Sequence, residues 1–228
     1  MLKGLPCSWN KCSFCPFVLE QGSLPEVLSV DKKIIENAKK MLRGEHYERI
    51  TIFNGGSFYE LPYDIVLELI GVTKNMIVDI ESRPEFIDYT RLVETKKALK
   101  ANKLVVRIGF EVYDESIRNK ILRKGIPQSE LYRISEISRK IKENREKIEV
   151  IAYVLFGIEG VPEDEVIRSV REFNKLFDGV IAIRYRKYLP HHPKPTGVSR
   201  ELALFLEKNT LLVDWGEEDF WELDKTVS

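Results

Sequence analysis

The chain has 228 residues, is 43% hydrophobic, and carries 36 basic and 36 acidic side chains for a formal net charge of zero. This is enough apolar material for one sizeable core, and the charge balance excludes a strongly basic nucleic-acid binder as a class while leaving room for a local basic patch. No run approaches the roughly 20 apolar residues of a membrane-spanning helix, and the N-terminus lacks the regions of a secretory signal, so a soluble cytoplasmic protein is expected.

In chain order, "MLKGLP" reads as a short first strand. The cysteine segment "LPCSWNKCSFCPF" (Leu5–Phe17) follows it, and then "DKKIIENAKKMLRG", a helix expected to be capped by Asp31 and to stop at Gly44. "RITIFN" (Arg49–Asn54) is a β-rich run ending at Gly55 and Gly56. After it, "LPYDIVLELIG" places Pro62 in an early-helix position. "NMIVDIESRP" (Asn75–Pro84), "KLVVRIGFEV" (Lys103–Val112), "IEVIAYVLFGIEG" (Ile148–Gly160) and "GVIAIRYRKY" (Gly179–Tyr188) are near-continuous apolar runs rich in Val and Ile. Such runs suit parallel strands. Between them, "DYTRLVETKKALKAN", "SELYRISEISRKIKENREK" and "PEDEVIRSVREFNKLF" space their apolar residues as helices do.

Strands alternating with helices predict an α/β protein with a parallel sheet. Six (βα) units without closure predict an incomplete (βα)6 TIM-like barrel over residues 1–188, with a doubly wound sheet as the competing topology. Either way the functional end is the carboxyl end of the strands. Residues 189–228 read as a C-terminal appendage: the loop "LPHHPKPTG", a helix "SRELALFLEKN", a strand-like "TLLVDW" and an acidic, aromatic end.

All three cysteines, Cys7, Cys12 and Cys15, fall within nine positions as C-x4-C-x2-C. Scattered, buried, unreactive thiols would not cluster in this way. A cytosolic disulfide leaves one thiol over and runs against the reducing compartment. Clustered thiols are metal or cluster ligands more often. Structural zinc takes four ligands, and a fourth is not evident unless His191 or His192 folds back. An ordinary [4Fe–4S] cluster also takes four cysteines, so three leave one iron open.

At this point the chain resembles the radical S-adenosylmethionine (SAM) superfamily. The usual spacing there is C-x3-C-x2-C; this sequence has one more residue in the first gap but matches the second gap and the aromatic Phe14 before the last cysteine. "FNGGSF" (Phe53–Phe58) is similar to the family's Gly-Gly-Glu segment, with Gly55 and Gly56 matching and Ser57 standing where the acidic residue would be. "DIESRPEFI", with Glu81 and Arg83, looks like the Glu-x-Arg-Pro segment of the subgroup that includes the elongator catalytic subunit. Glu111 matches the residue that ends the next strand, and "LFGIEGVPEDE", with Gly157 and Gly160, matches a Gly-x-x-Gly-x-Pro turn. Arg184 falls near the end of the sixth expected strand.

The resemblance implies that Cys7, Cys12 and Cys15 ligate a [4Fe–4S] cluster and that Gly55, Gly56, Ser57, Glu81, Arg83, Glu111, Gly157, Gly160 and Arg184 bind SAM. It implies reductive cleavage of SAM to methionine and a 5′-deoxyadenosyl radical, with an external electron donor. The nearest subgroup is that of the radical SAM partner of archaeosine synthase, whose members act on a modified 7-deazaguanine in tRNA. A tRNA substrate and a partner subunit are therefore expectations, and no membrane is. Each residue also has a plainer reading: a strand-ending turn for Gly55-Gly56, and a structural ion pair for Glu81 and Arg83. A second function stays open, a catalytically silent relative holding an iron–sulfur cluster or zinc for binding or regulation; a third is an electron-transfer module. His46, His191 and His192 lack a spacing that argues catalysis, and the last two are expected on the surface. "RKIKENREK" (Arg139–Lys147) reads as a solvated helix face, whereas "RYRKY" (Arg184–Tyr188) could meet phosphate or a base.

Overall fold

The computed structural model describes residues 1–44 and 46–216. Six strands form one sheet: β1 (Arg49–Ile52), β2 (Ile77–Glu81), β3 (Lys103–Glu111), β4 (Ile148–Phe156), β5 (Gly179–Arg184) and β6 (Leu212–Asp214). They lie side by side in chain order and every neighbouring pair is parallel. A doubly wound sheet reverses its strand order at a switch point. This one never reverses, so it is the curled half-barrel that the run of (βα) units predicts.

The helices are α1 (Leu24–Met41), α2 (Tyr63–Thr73), α3 (Tyr89–Ala98), α4 (Gln128–Glu143), α5 (Glu163–Leu176) and α6 (Arg200–Asn209). Right-handed crossovers between parallel neighbours put them on one side of the sheet. Side chains alternate across a strand. Val78 and Ile80 of β2, with Leu104, Val106, Ile108 and Phe110 of β3, accordingly enter the main core with Leu131, Ile134 and Val166 of the helices. Phe110 stacks on Phe177 at 5.3 Å between ring centroids and tilts against Phe173 at 5.7 Å. The alternate residues face inward. There a second, small cluster of Val105, Ile151, Tyr153 and Ile181 sits apart from the main core.

Two expectations need correction. "MLKGLP" is not a strand of the sheet: Leu2 and Gly4 make single bridges, to Asn54 and Gln21. Gly4 passes so close to Gly55 that a Cβ there would lie 2.9 Å from its backbone. The segment is a threaded lead-in to the cysteines, and the sixth strand is instead β6, the strand-like stretch of the tail, paired with β5. Asp31 is not a helix cap either. Ser23 and the early Pro25 start α1 a full two turns sooner, and Asp31 lies buried within it, accepting the Lys3 backbone N–H at 2.7 Å. The expected acidic, aromatic end falls outside the described residues beyond Gly216. Among the described residues no helix is long and apolar enough to cross a membrane.

Because Phe110 is fully buried where β3 meets α5, Phe110→Ala should lower unfolding free energy by about 3–5 kcal/mol, measured by urea denaturation.

Candidate functional site

Parallel strands in sequential order bring all their following loops to one end. A cavity of about 510 Å³ opens there and reaches down the inner face, within the range of small-molecule sites. All three cysteines line it, as do Gly55, Gly56, Ser57, Glu81, Arg83, Glu111 and Arg184. Gly157 and Gly160 do not. Gly157 lies behind Arg184, whose guanidinium covers its backbone, and Gly160 packs on Ile121.

The cysteine loop is anchored from both sides. Trp9 donates its indole N–H to the Arg123 carbonyl at 2.7 Å, and Ser13 bonds the Leu122 carbonyl through its N–H (3.1 Å) and the Ile121 carbonyl through its hydroxyl (2.9 Å). The Trp9 ring lies over Gly125, at φ +62°, so that a side chain there would be both strained and in collision. The longer first gap of the motif turns through Asn10 at φ +44°. From the other side, Glu60 accepts the Ser8 N–H at 2.7 Å and the Ser57 N–H at 2.9 Å. Gly55 and Gly56 allow the close approach: a Cβ on Gly55 would collide with the Glu20 carbonyl, and one on Gly56 would lie 2.9 Å from Glu60 Oε2. The three thiols are unpaired and half-buried. Burial pushes Cys15 up to about 12 and raises Cys12, against the opposing charges of Lys124 and Arg83 at Cys12. Among the described residues no three His, Cys, Asp or Glu side chains converge tightly enough to enclose a single metal ion.

Ser57 is 3% exposed, and its hydroxyl already accepts the Arg83 N–H at 3.0 Å. The carboxylate absent at position 57 is present three residues later, as Glu60. Arg83 donates to the Lys124 carbonyl at 3.0 Å, pairs with Glu85 at 2.5 Å and lies over the Trp9 ring at 5.2 Å. Glu111 sits where the β3–β4 register shifts, at φ +69°, a conformation uncommon for a residue with a Cβ. Bulges of this kind re-aim a side chain beside a site. The buried Lys124 ammonium meets Glu111 at 2.9 Å and lies 5.5 Å from the Phe14 ring centroid. Arg184 donates to the Thr196 carbonyl at 2.5 Å, and its buried Nη1 has no hydrogen-bond partner among the described residues.

Below this rim the inner face carries a chain of polar groups. The Tyr153 hydroxyl donates to Glu81 Oε1 at 2.5 Å, and Arg107 Nη1 lies 3.3 Å from the same hydroxyl. Arg107 and Arg49 both hold Asp79, which is fully buried. Phe53 covers Arg107 at 5.8 Å. Burial raises the Glu81 carboxyl from its ordinary 4.5 to about 7, with the Tyr153 hydrogen bond and the Arg107 charge pulling the other way.

Sequence reasoning missed Glu60, Lys124, Arg107, Tyr153 and His192. Arg107 and Asp79 did carry a signal, being charged residues inside otherwise apolar strands. His192, expected on the surface, is 5% exposed and lines the cavity, while His191 is exposed as expected. The proline-rich loop folds inward because Pro195 bridges to Ile158 and the Tyr185 hydroxyl bonds the Pro193 carbonyl.

No family model matches the chain. It is 30% identical over 181 residues to an uncharacterized protein of Methanocaldococcus jannaschii, covering 73% of this chain and 47% of the relative. It is 22% identical over 182 residues to archaeosine synthase subunit beta of Methanosarcina acetivorans, covering 75% and 52%. The chain thus spans about half the length of the curated relatives it matches. Among solved structures it superposes on queuine lyase from Clostridium spiroforme bound to SAM and queuine, with TM-score 0.66, 23% identity, and 91% of this chain and 82% of that one covered. It also superposes on SuiB of Streptococcus suis, with TM-score 0.60, 14% identity and coverage of 93% and 47%. Both are radical SAM proteins. This chain has the radical SAM fold. In it the cavity occupies the open side of the half-barrel, with the cysteine loop at its rim.

The Glu81 shift has a sign that can be tested. A carboxyl raised in the folded state keeps a proton that the unfolded chain loses, so the stability it confers is complete below pH 4.5 and lost as pH rises through about 7. At 1.4 kcal/mol per unit this amounts to at most about 3 kcal/mol, since Glu81 also touches the cavity. Glu81→Gln, which stays neutral, should gain on the wild type by up to about 3 kcal/mol between pH 5 and 8 in urea unfolding. A gap independent of pH would refute the shift.

Proposed function

We propose that this chain is a radical SAM enzyme. What carries the reading is the donor set: three unpaired thiols on one anchored loop, all on the wall of one cavity at the carboxyl ends of the strands. Soft thiolates suit iron–sulfur clusters or zinc. Zinc draws its ligands to about 2.0–2.3 Å of one point, whereas a cluster spreads its thiolates over separate irons. Three thiolates leave one iron of a [4Fe–4S] cluster open to a bound molecule, and the three-cysteine set fits that cluster. When bound, the cluster would supply the electron that breaks a sulfur–carbon bond of SAM and yields methionine and a 5′-deoxyadenosyl radical. The protein's part is to bind, orient and exclude water. Peptide groups at Gly55 and Gly56 would meet the amino acid end of SAM beside Cys7. Arg83 and Glu111 would flank its middle, and Arg184, with the turn through Gly157 and Gly160 behind it, the adenine end.

The finer reading is that the substrate is a nucleobase of the deazapurine type, in tRNA, reached with a partner subunit and an external electron donor. It is supported by the similarity to archaeosine synthase subunit beta and to a lyase bound to queuine. The exposed Lys187 and Tyr188 beside the cavity mouth would face phosphate.

The competing reading is a catalytically silent protein with a structural cluster or zinc. It has Ser57 in its favour, which lacks a carboxylate and whose hydroxyl is engaged by Arg83. Anaerobic reconstitution with iron and sulfide, then dithionite and SAM, separates the two. 5′-Deoxyadenosine should form, and Cys12→Ala should reduce both cluster content and product to background. A well-formed cluster without SAM cleavage would favour the silent protein, and tightly bound zinc without iron would overturn the cluster. Retention of tRNA should fall with salt, and Lys187→Ala should lower the logarithmic salt slope by about one, measured by filter binding.

A further inference from the structure

Besides the Lys103–Glu149 ion pair, the inner face of the half-barrel carries one chain of polar groups, and that chain ends at the Glu81 carboxylate. Tyr153 engages Glu81 Oε1. Among the described residues no hydrogen bond is made to Glu81 Oε2, and Glu81 lines the cavity. Ion pairs and polar networks in such surroundings are a poor source of stability compared with apolar packing. Here four side chains, Arg49, Asp79, Arg107 and Tyr153, from four successive strands are linked into a chain that holds one carboxylate, Glu81, in place. Pre-organisation of this kind, with each group positioned by the next, is what a recognition site needs.

Glu81 stands two residues before Arg83, which reaches the cysteine loop through the Trp9 ring, while Gly55-Gly56 join that loop through Glu60. Glu81 instead turns to the inner face and is bonded two strands away, to β4. The cavity it lines also presents the flat or apolar surfaces of Phe53, Leu155, Ile181 and Ile183. Such a site takes a planar ring by its faces and one edge of that ring by hydrogen bonds.

We propose that Glu81, held by Tyr153 and Arg107, recognises the substrate rather than the cofactor, accepting two adjacent N–H donors on the edge of a planar nitrogen heterocycle. A ring N–H next to an exocyclic amine, as in a 2-aminopyrimidin-4-one, has that pattern. The inference rests on the radical SAM reading and names the substrate chemistry within it. The ionised carboxylate is the form that accepts both donors. Its ionisation is opposed by burial and by the charge of Glu111, and favoured by the Tyr153 hydroxyl, Arg107 and Lys124. Binding therefore tightens from pH 6 to pH 8.

The experiment is calorimetric binding of 7-deazaguanine and 7-deazaxanthine to the anaerobically reconstituted protein with SAM. 7-Deazaguanine offers the two donors; 7-deazaxanthine replaces the amine by a carbonyl. The wild type should prefer 7-deazaguanine by at least tenfold. Glu81→Gln offers one acceptor and one donor, so the preference should shrink by at least tenfold or invert, a swap that mere loosening of the site would not produce. Tyr153→Phe should weaken 7-deazaguanine binding while keeping the preference. Equal preference in the wild type and Glu81→Gln overturns the proposal, as does a wild type that cleaves SAM and binds neither ring. A wild type that cleaves no SAM strikes the underlying reading instead, and is read from 5′-deoxyadenosine alone.

Discussion

Six parallel strands in unbroken order, with every helix on one side, leave the other side of the sheet without a covering layer. Everything distinctive about the chain follows from how that bare face is used. On the outer side, alternation puts Val78, Ile80, Leu104, Val106 and Phe110 into one continuous core. On the inner side the same alternation places Asp79, Glu81, Arg107 and Tyr153, which a packed core would not accept without partners. The uncovered face is thus both the weakness of the architecture and the place where chemistry can be housed.

The rim is built on the same logic. The buried Lys124–Glu111 pair joins the bulged end of β3 to the segment that carries the cysteine loop. Trp9 and Ser13 bind that segment's carbonyls, Arg83 binds the Lys124 carbonyl, and Glu60 closes the other side through Ser8. Four connections distant in sequence therefore meet within one loop. Glu111 and Arg123 both hold left-handed backbone at the rim, and strain of this kind persists only where its surroundings over-determine it.

The strands and helices were legible because their hydrophobic runs are long and regularly spaced. The sixth strand was not. Leu212–Asp214 is short, and what makes it a strand is pairing with β5, which periodicity cannot reveal. "MLKGLP" misled in the opposite way, since its composition suits a strand but its partners are single bridges. In the site, residues next to glycines and cysteines could be read from spacing. Glu60, Lys124 and Tyr153 could not, because each acts through a contact made across tens of residues: 52 between Ser8 and Glu60, and 72 between Glu81 and Tyr153. His192 escaped for a related reason. A proline-rich stretch reads as exposed until a bridge such as Ile158–Pro195 folds it inward.

The missing closure of the barrel has a mechanical meaning. In a closed barrel, strand number and stagger fix the radius. Among the described residues β1 and β6 are the edge strands of this arc, and its curvature is held by what packs on the two faces. The outer face is filled by helices; the inner face has a small apolar cluster and open space. Molecules that occupy the cavity then take the place of the absent strands as an inner layer. Occupancy should therefore stiffen the arc as a whole and not just the side chains it touches, linking a full site to a more resistant fold by mass action.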